Sequence, residues 1–520
     1  MSLDTHPTRR PLPGRQVFRP AAARGPATTH PTGTAPDALG PSFPADLLDV
    51  CRRAAAIARR EHRPVLASCR TVAPQPPPID LWSHGRTRTE RSLLWQSAWG
   101  GDFLVGLGTA HDLTARGDGR VAAVRADWQR LSTGPVLGGP PAEGTSGSGP
   151  VLVGGFSFAP ARTPSPSAWP DGLMWVPALQ IRGTNSGAGG ADSAAEVRLN
   201  AVLHPGDDPV RTARSLLRLA ARCLTAPPAP HPSADAAADS CAPAVAALTE
   251  EVPPAEDWKH LVRRAVRHIG AGGFEKVVLA REVRVTSTAP FDLPVALRRL
   301  ERTHPHATVF AVGHGSRTFL GATPEYLVRL TGRSVHTLGL AGTAPRGATP
   351  AQDAALAREL AASAKIRHEH DVVVRALRDA LRDACTAVTE APAPRVVQLP
   401  HVQHLSTAVE GRLADESAGI LDLVERLHPT PALGGHPRAQ SLDWLADNEG
   451  IDRGWYAAPV GWTDLAGQGE FAVAIRSGVV DSHTASLYAG CGIVTGSDPD
   501  DEYAETCAKL RPMLQALGIG

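Results

Sequence analysis

The sequence predicts an α+β fold organised around a large, mostly antiparallel sheet system. Three observations lead there. Short apolar runs bounded by turn residues recur along the chain, they come in groups rather than alternating strictly with helices, and several longer stretches carry a helical period. With 520 residues, 42% of them hydrophobic, the chain has enough apolar surface for a sizeable core. No apolar run approaches the ~18 residues that a membrane span requires.

Residues 1–42 are rich in Pro, Ala, Arg, Thr and Gly without apolar periodicity, and are expected to form a disordered tail. The Arg9–Arg10 pair has no apolar stretch behind it and is not a secretory signal. From Phe43 the pattern turns helical, with Leu47, Cys51, Ala54, Ala55 and Ala58 on one face. Strands follow at Ser92–Gln96, Phe103–Leu107, Val151–Phe158 and Gly172–Ile181, with a glycine-rich surface loop at 138–150. These make an N-terminal half, 43–224. Residues 225–257, dominated by Pro and Ala, read as an insert that loops out. In the C-terminal half, 258–517, strands are expected at 276–285, 308–314, 325–330, 470–480 and 485–494. Helices are expected there at 257–270, 351–384, 417–427 and 500–517.

Charge and cysteine content narrow the function. The formal charge is +1, so no basic field draws the protein onto nucleic acid or an anionic membrane. Seven cysteines (51, 69, 223, 241, 385, 491 and 507) contain no C-x-x-C pair. Neither a disulfide framework nor a cysteine zinc site is expected, and a reducing cytoplasm is the natural location. Of 53 basic residues only four are lysine: Lys259, Lys276, Lys365 and Lys509. Lysine differs from arginine as a compact point charge that can lose its proton when buried. Under such a bias, lysines mark places where arginine does not serve.

Three of the four lie beside suggestive patterns. In 363–381, Lys365, Glu369 and Val373 share a helix face with Leu377 and Leu381, which puts an acid and a base on the stripe facing the core. The flanking His368 and His370 are two residues apart and cannot give the i, i+4 geometry of a zinc helix. In the last helix Glu502, Glu505 and Lys509 form one stripe, behind a start crowded by Asp498, Asp500 and Asp501. Carboxylates from two helices, without cysteine or paired histidine, suit Mg²⁺, a hard ion that prefers oxygen. Lys276 alternates with Val278 and Ala280 on an otherwise apolar strand face, where desolvation favours the neutral amine of a general base. Each pattern alone also fits an ordinary ion pair at a helix edge or a lysine reaching solvent from a strand end.

Taken together the motifs are recognisable. "FEKVVLAREV" (274–283), "FLGATPEYLVRL" (319–330), "LGLAGTAPRG" (338–347), "SAKIRHEHDVVV" (363–374), "VQHLSTAVEGRL" (402–413), "LHPTPALGGHPRAQ" (427–440), "EFAVAIRSGVV" (470–480) and "LYAGCGIVTGSDPDDEYAETCAKL" (487–510) resemble the chorismate-utilising enzymes. The likeness covers 258–517 motif by motif and extends more weakly to the N-terminal half. It implies a single large domain of two stacked, mostly antiparallel sheets flanked by helices, the anthranilate-synthase-like fold. By position it implies that Lys276 activates water and that Glu325 is the general acid. It implies that Glu369 and Glu505 bind Mg²⁺ directly, with Glu502 in support. Arg476 and Tyr456 correspond to the pair that grips a substrate carboxylate. Gly342, Thr343, Gly490 and Lys509 are expected beside the substrate, chorismate.

The members of the family differ in nucleophile. Anthranilate synthases carry glutamine where Lys276 stands, so lysine here implies water. Aminodeoxychorismate synthases often carry a catalytic lysine where this chain has Ala341. "GCG" at 490–492 is not a nucleophile elbow, Cys491 reads as a core residue, and no glutaminase subunit is expected. "LHPTPALGG" favours isochorismate-forming members over salicylate synthases. A chorismate-binding relative without catalysis is a rival from another class, opposed by the joint presence of Lys276, Glu325, Glu369 and Glu505. A monomer is expected. Two departures stand out: Ile366 replaces an acid common three residues before the metal glutamate, and Pro512 lies inside the last helix, where it should kink the chain.

Overall fold

The computed structural model describes residues 39–141, 149–160, 169–184, 194–224, 247–399 and 402–519, apart from the side chain of Lys365. All of these belong to one compact unit, Thr34–Gly520. Most of the expected tail (1–38) and insert (225–246) lies outside the described residues. Where their ends are described, both boundaries move. Leu39 is already buried, and Thr71 Oγ1 donates to its carbonyl at 3.0 Å. Ala247–Val252, assigned from its neighbours' composition to a looped-out insert, is instead an edge strand paired with Glu282–Ser287.

Two sheets, of thirteen and ten strands, make up the described β-structure. Their pairings are antiparallel, except that Val65–Pro74 runs parallel to Val136–Gly138. Each sheet draws on both halves of the chain. Arg91–Gln96 pairs with Thr308–His314 in the larger, and Val151–Phe156 pairs with Pro459–Asp464 in the smaller. Alternate residues on the facing surfaces then meet: Trp95, Phe310 and Phe319 from the large sheet pack with Trp175, Val460 and Trp462 from the small one. Helices Phe43–Glu61, Leu293–Thr303 and Pro499–Ala516 pack in a second core with the large sheet. The helix Ala364–Arg382 lays Val373, Val374, Leu377 and Leu381 into a third.

Three stretches divide where the sequence suggested one element, and 470–480 is one of them: Gly469–Val473 lies in the small sheet and Ser477–Asp481 in the large one. Gly172–Ile181 is two strands, Gly172–Val176 in the small sheet and Leu179–Thr184 in the large one. Pro177 cannot donate to a ladder, and the chain changes sheets there. Residues 351–384 form two helices, Pro350–Ala362 and Ala364–Arg382. Ser363 between them has an extended backbone, and its hydroxyl accepts from Ile366 N–H at 3.4 Å, which restarts the helix in a new direction. The last helix continues through Pro512 to Ala516, with Pro512 buried. The remaining bounds shift by a few residues, the expected 417–427 helix being Ile420–Leu427.

The strand Lys276–Ser287 positions the chemistry. One edge pairs continuously with Thr484–Ile493. The other meets Gly435–His436 opposite Lys276–Val277, and the edge strand opposite 282–287. Trp258, fully buried on helix Ala255–Gly270, holds that helix to the strand by donating Nε1–H to the Ala280 carbonyl at 3.2 Å. Trp258→Ala removes both the packing and the donor. It should destabilise the protein by about 3–5 kcal/mol, seen as a lower urea midpoint with unchanged slope. A loss below about 1 kcal/mol would show that this contact does not hold the strand.

Candidate active site

Ten of the eleven residues singled out from sequence line one cavity: Lys276, Glu325, Gly342, Thr343, Glu369, Tyr456, Arg476, Gly490, Glu505 and Lys509. Glu502 does not; it is buried one turn before Glu505. The walls come from both sheets and from two helices. Lys276 and Gly490 stand on paired strands of the large sheet. Glu325 precedes, and Gly342 and Thr343 lie within, strands of the small sheet. Glu369 and Glu505 project from helices Ala364–Arg382 and Pro499–Ala516.

Lys276 is 1% exposed, and its Nζ lies 2.8 Å from Glu369 Oε1. The carboxylate that helical spacing offered to Lys365 is thus held by a lysine from the opposite layer. Gly492 stands beside this pair, where a Cβ would run into Glu369 Oε1 and Lys276 Cε. On the last helix Glu505 lies 2.5 Å from Lys509, whose Nζ also donates to the Gly490 carbonyl at 2.9 Å. Burial opposes the Lys509 charge, but Glu505 outweighs it and the net shift is upwards.

Among the described residues no basic side chain lies within bonding distance of the Glu325 carboxyl. Burial raises its carboxyl to about 7, with Arg476, Lys276 and Lys509 only partly pulling it back. Burial likewise raises the Tyr456 hydroxyl and lowers Arg476. Tyr456 stacks on Tyr488 at 5.3 Å, which fixes its ring. Arg476 and the cavity residue Ala457 hold φ of 50° and 60°, a conformation that costs non-glycine residues energy and gathers at functional sites. At Gly342 φ is +77°, and a Cβ would meet the Ile366 side chain.

His404 and Arg453 also line the cavity, though neither was singled out from the sequence. The His404 Nδ1 lies 3.1 Å from the Gly342 carbonyl and 3.2 Å from Thr343 Oγ1, and its Nε2 lies 3.4 Å from Arg476. Burial, with Arg476 and Lys509 nearby, holds it far below the usual imidazole range. Its place in "VQHL" was the available signal. His370 is buried, with its Nε2 2.7 Å from Thr407 Oγ1. Cys491 is a buried wall residue whose thiol burial pushes well upwards.

Among the described residues no group of three His, Cys, Asp or Glu gathers to hold a metal. Two carboxylates, Glu369 and Glu505, do share the cavity, and they are oxygen donors only. That set fits Mg²⁺, which is commonly held by one or two carboxylates completed by water and substrate oxygens.

A model of the chorismate binding enzyme family matches residues 51–518. The chain belongs to that family. It is 36% identical over 472 residues to the salicylate biosynthesis isochorismate synthase of Pseudomonas aeruginosa, covering 89% of this chain and 93% of that one. It is 38% identical over 376 residues to the isochorismate synthase MenF of Bacillus subtilis, covering 72% and 76%. The menaquinone-specific isochorismate synthase of Escherichia coli shares the fold at a TM-score of 0.70 and 23% identity, over 90% of this chain and 99% of that one. Anthranilate synthase component I of Streptococcus pneumoniae does so at 0.63 and 18%, over 80% and 93%. The expected α+β fold of two antiparallel sheets is therefore that of chorismate-binding enzymes.

Glu325 gives a test with a defined sign. Its folded-state pKa of about 7 exceeds the ordinary 4.5, so its ionised form is better tolerated by the unfolded chain. The stability it contributes is full below pH 4.5 and is lost as pH rises through about 7. Glu325→Gln removes the titration, and its stability relative to the parent should rise by about 3 kcal/mol between the two limits. Urea denaturation of both proteins at acid and mildly alkaline pH measures this. A difference independent of pH would show that the carboxyl is not displaced.

Proposed function

We propose that this chain is an isochorismate synthase that converts chorismate to isochorismate with Mg²⁺. The observation that carries the proposal is the presence in one cavity of a buried lysine, Lys276, and a buried glutamic acid, Glu325, of pKa about 7, with the basic side chains Arg453, Arg476 and Lys509 in the same walls. The curated relatives named above are isochorismate synthases, which supports the same reaction.

Chorismate carries two carboxylates, and the basic side chains answer them. Arg476 offers a planar fork and Tyr456 a hydroxyl for one carboxylate. The Lys276 amine takes a proton from water as the new C2–O bond forms. The ring double bond shifts and the C4–O bond breaks. Glu325 gives its proton to the departing oxygen, which leaves as water. One water enters and one leaves, so the reaction is an isomerisation. Burial serves Glu325 directly, because a carboxyl near 7 holds its proton in a large share of molecules at neutral pH, where an ordinary glutamate has lost it. Lys276 must exchange its bond to Glu369 before its amine can accept a proton. Mg²⁺ held by Glu369 and Glu505 would neutralise a substrate carboxylate and compete with Lys276 for Glu369.

The decisive variant is Lys276→Arg, which keeps the charge and cannot give up a proton near neutral pH. It should bind chorismate and lose ~10²–10⁴-fold in kcat. A change in KM alone would mean that Lys276 only attracts an anion. Products from chorismate and Mg²⁺, with and without EDTA, test the reaction itself. Isochorismate that disappears with EDTA is expected; salicylate with pyruvate, or no turnover, would each refute the proposal.

A further inference from the structure

The outer edge of the Lys276–Ser287 strand has a gap. Strand partners stand opposite 276–277 and 282–287, and none of the paired residues falls at 278–281. Within it Val278 N–H donates to the Gly434 carbonyl at 3.2 Å and the Ala280 carbonyl accepts from Trp258, and a buried ion pair takes the two remaining groups. Ala280 N–H donates to Glu449 Oε1 at 2.8 Å, and the Val278 carbonyl accepts from an Arg453 NH₂ group at 2.6 Å. Glu449 and Arg453 are bonded twice, at 2.6 and 2.7 Å, and are 7% and 4% exposed. The carboxylate and the guanidinium thus take the places of the carbonyl and amide of an adjoining strand, two and four residues from Lys276.

The same pair reaches two other cavity walls. Arg453 donates to the Leu433 carbonyl at 2.9 Å, and its own carbonyl accepts from Tyr456 N–H at 2.8 Å. Arg453, Leu433 and Tyr456 all line the cavity, whereas Glu449 does not. The guanidinium also lies 4.1 Å over the Phe158 ring, which limits its movement. A buried ion pair adds little net stability over an apolar substitute, but it defines the separation of every group it bonds.

We infer that Glu449 and Arg453 are positioning residues that stand in for a missing strand and set the placement of Lys276 in the cavity. This rests on Lys276 being the general base. The test is kinetic, with Glu449→Gln made in the parent and in a Lys276→Ala background. Gln keeps the shape and an acceptor for Ala280 N–H, but loses the charge that holds Arg453. In the parent, kcat should fall on the order of tenfold or more with KM little changed, because small misplacements are costly in kcat. In the Lys276→Ala background the further loss should be less than about twofold, since the group being positioned is gone. Equal losses in both backgrounds, or a change in KM alone, would overturn this inference and leave the base assignment standing. Full turnover by Lys276→Ala alone would overturn both. If Glu449→Gln does not fold, Arg453→Lys, which keeps the ion pair and gives up the fork, should show a smaller kcat loss with the same dependence on Lys276.

Discussion

A buried ammonium needs a counter-charge, and Lys276 finds one across the gap between two layers. The lysine rises from the large sheet, and Glu369 descends from a helix packed with the small one. Neither group is well placed without the other, because an unpaired charge in this space is costly. The pair therefore exists only when both sheets are closed on their shared aromatic core. Gly492 on the adjacent strand completes the arrangement by leaving room that any side chain would take. The N-terminal half takes part for the same reason: its strands pair with C-terminal strands in both sheets.

Burial pushes Glu325, His404, Tyr456, Arg476 and Lys509 towards the neutral form, and partners decide which of them resists it. Lys509 keeps its charge because Glu505 lies on the next helical turn. Glu325, with no bonded cation among the described residues, is raised to about 7. His404, with Arg476 and Lys509 nearby, is driven towards neutrality, which leaves one ring nitrogen free to accept. The left-handed backbone at Arg476 and Ala457 adds to the energetic cost of assembling this wall.

Much of this was legible along the chain, and the failures have particular causes. Alternation placed Lys276 and Val278 on one strand face, and both line the cavity. The scarcity of lysine directed attention to Lys276 and Lys509, which are both at the site. Helical spacing correctly linked Glu505 to Lys509, because that contact lies within one helix. The same rule put Glu502 on that stripe, yet it does not line the cavity. Periodicity alone also ran through Pro177 and Ser363, where a missing donor and a capping hydroxyl end elements that apolar content would continue.

Residue type and local spacing by themselves determined which side chains carry chemistry, which family they resemble, and the alternation that builds each layer. These depend on covalent geometry and on periods of two and 3.6 residues, which any segment carries with it. The partner of each charge was decided only by tertiary structure. Lys276 and Glu369 are 93 residues apart, and Ala280 and Glu449 are 169 apart. No local period relates such positions. The depth that raises Glu325, and the gap that Glu449 and Arg453 fill, are properties of layers brought together, so they come into being only when the sheets close.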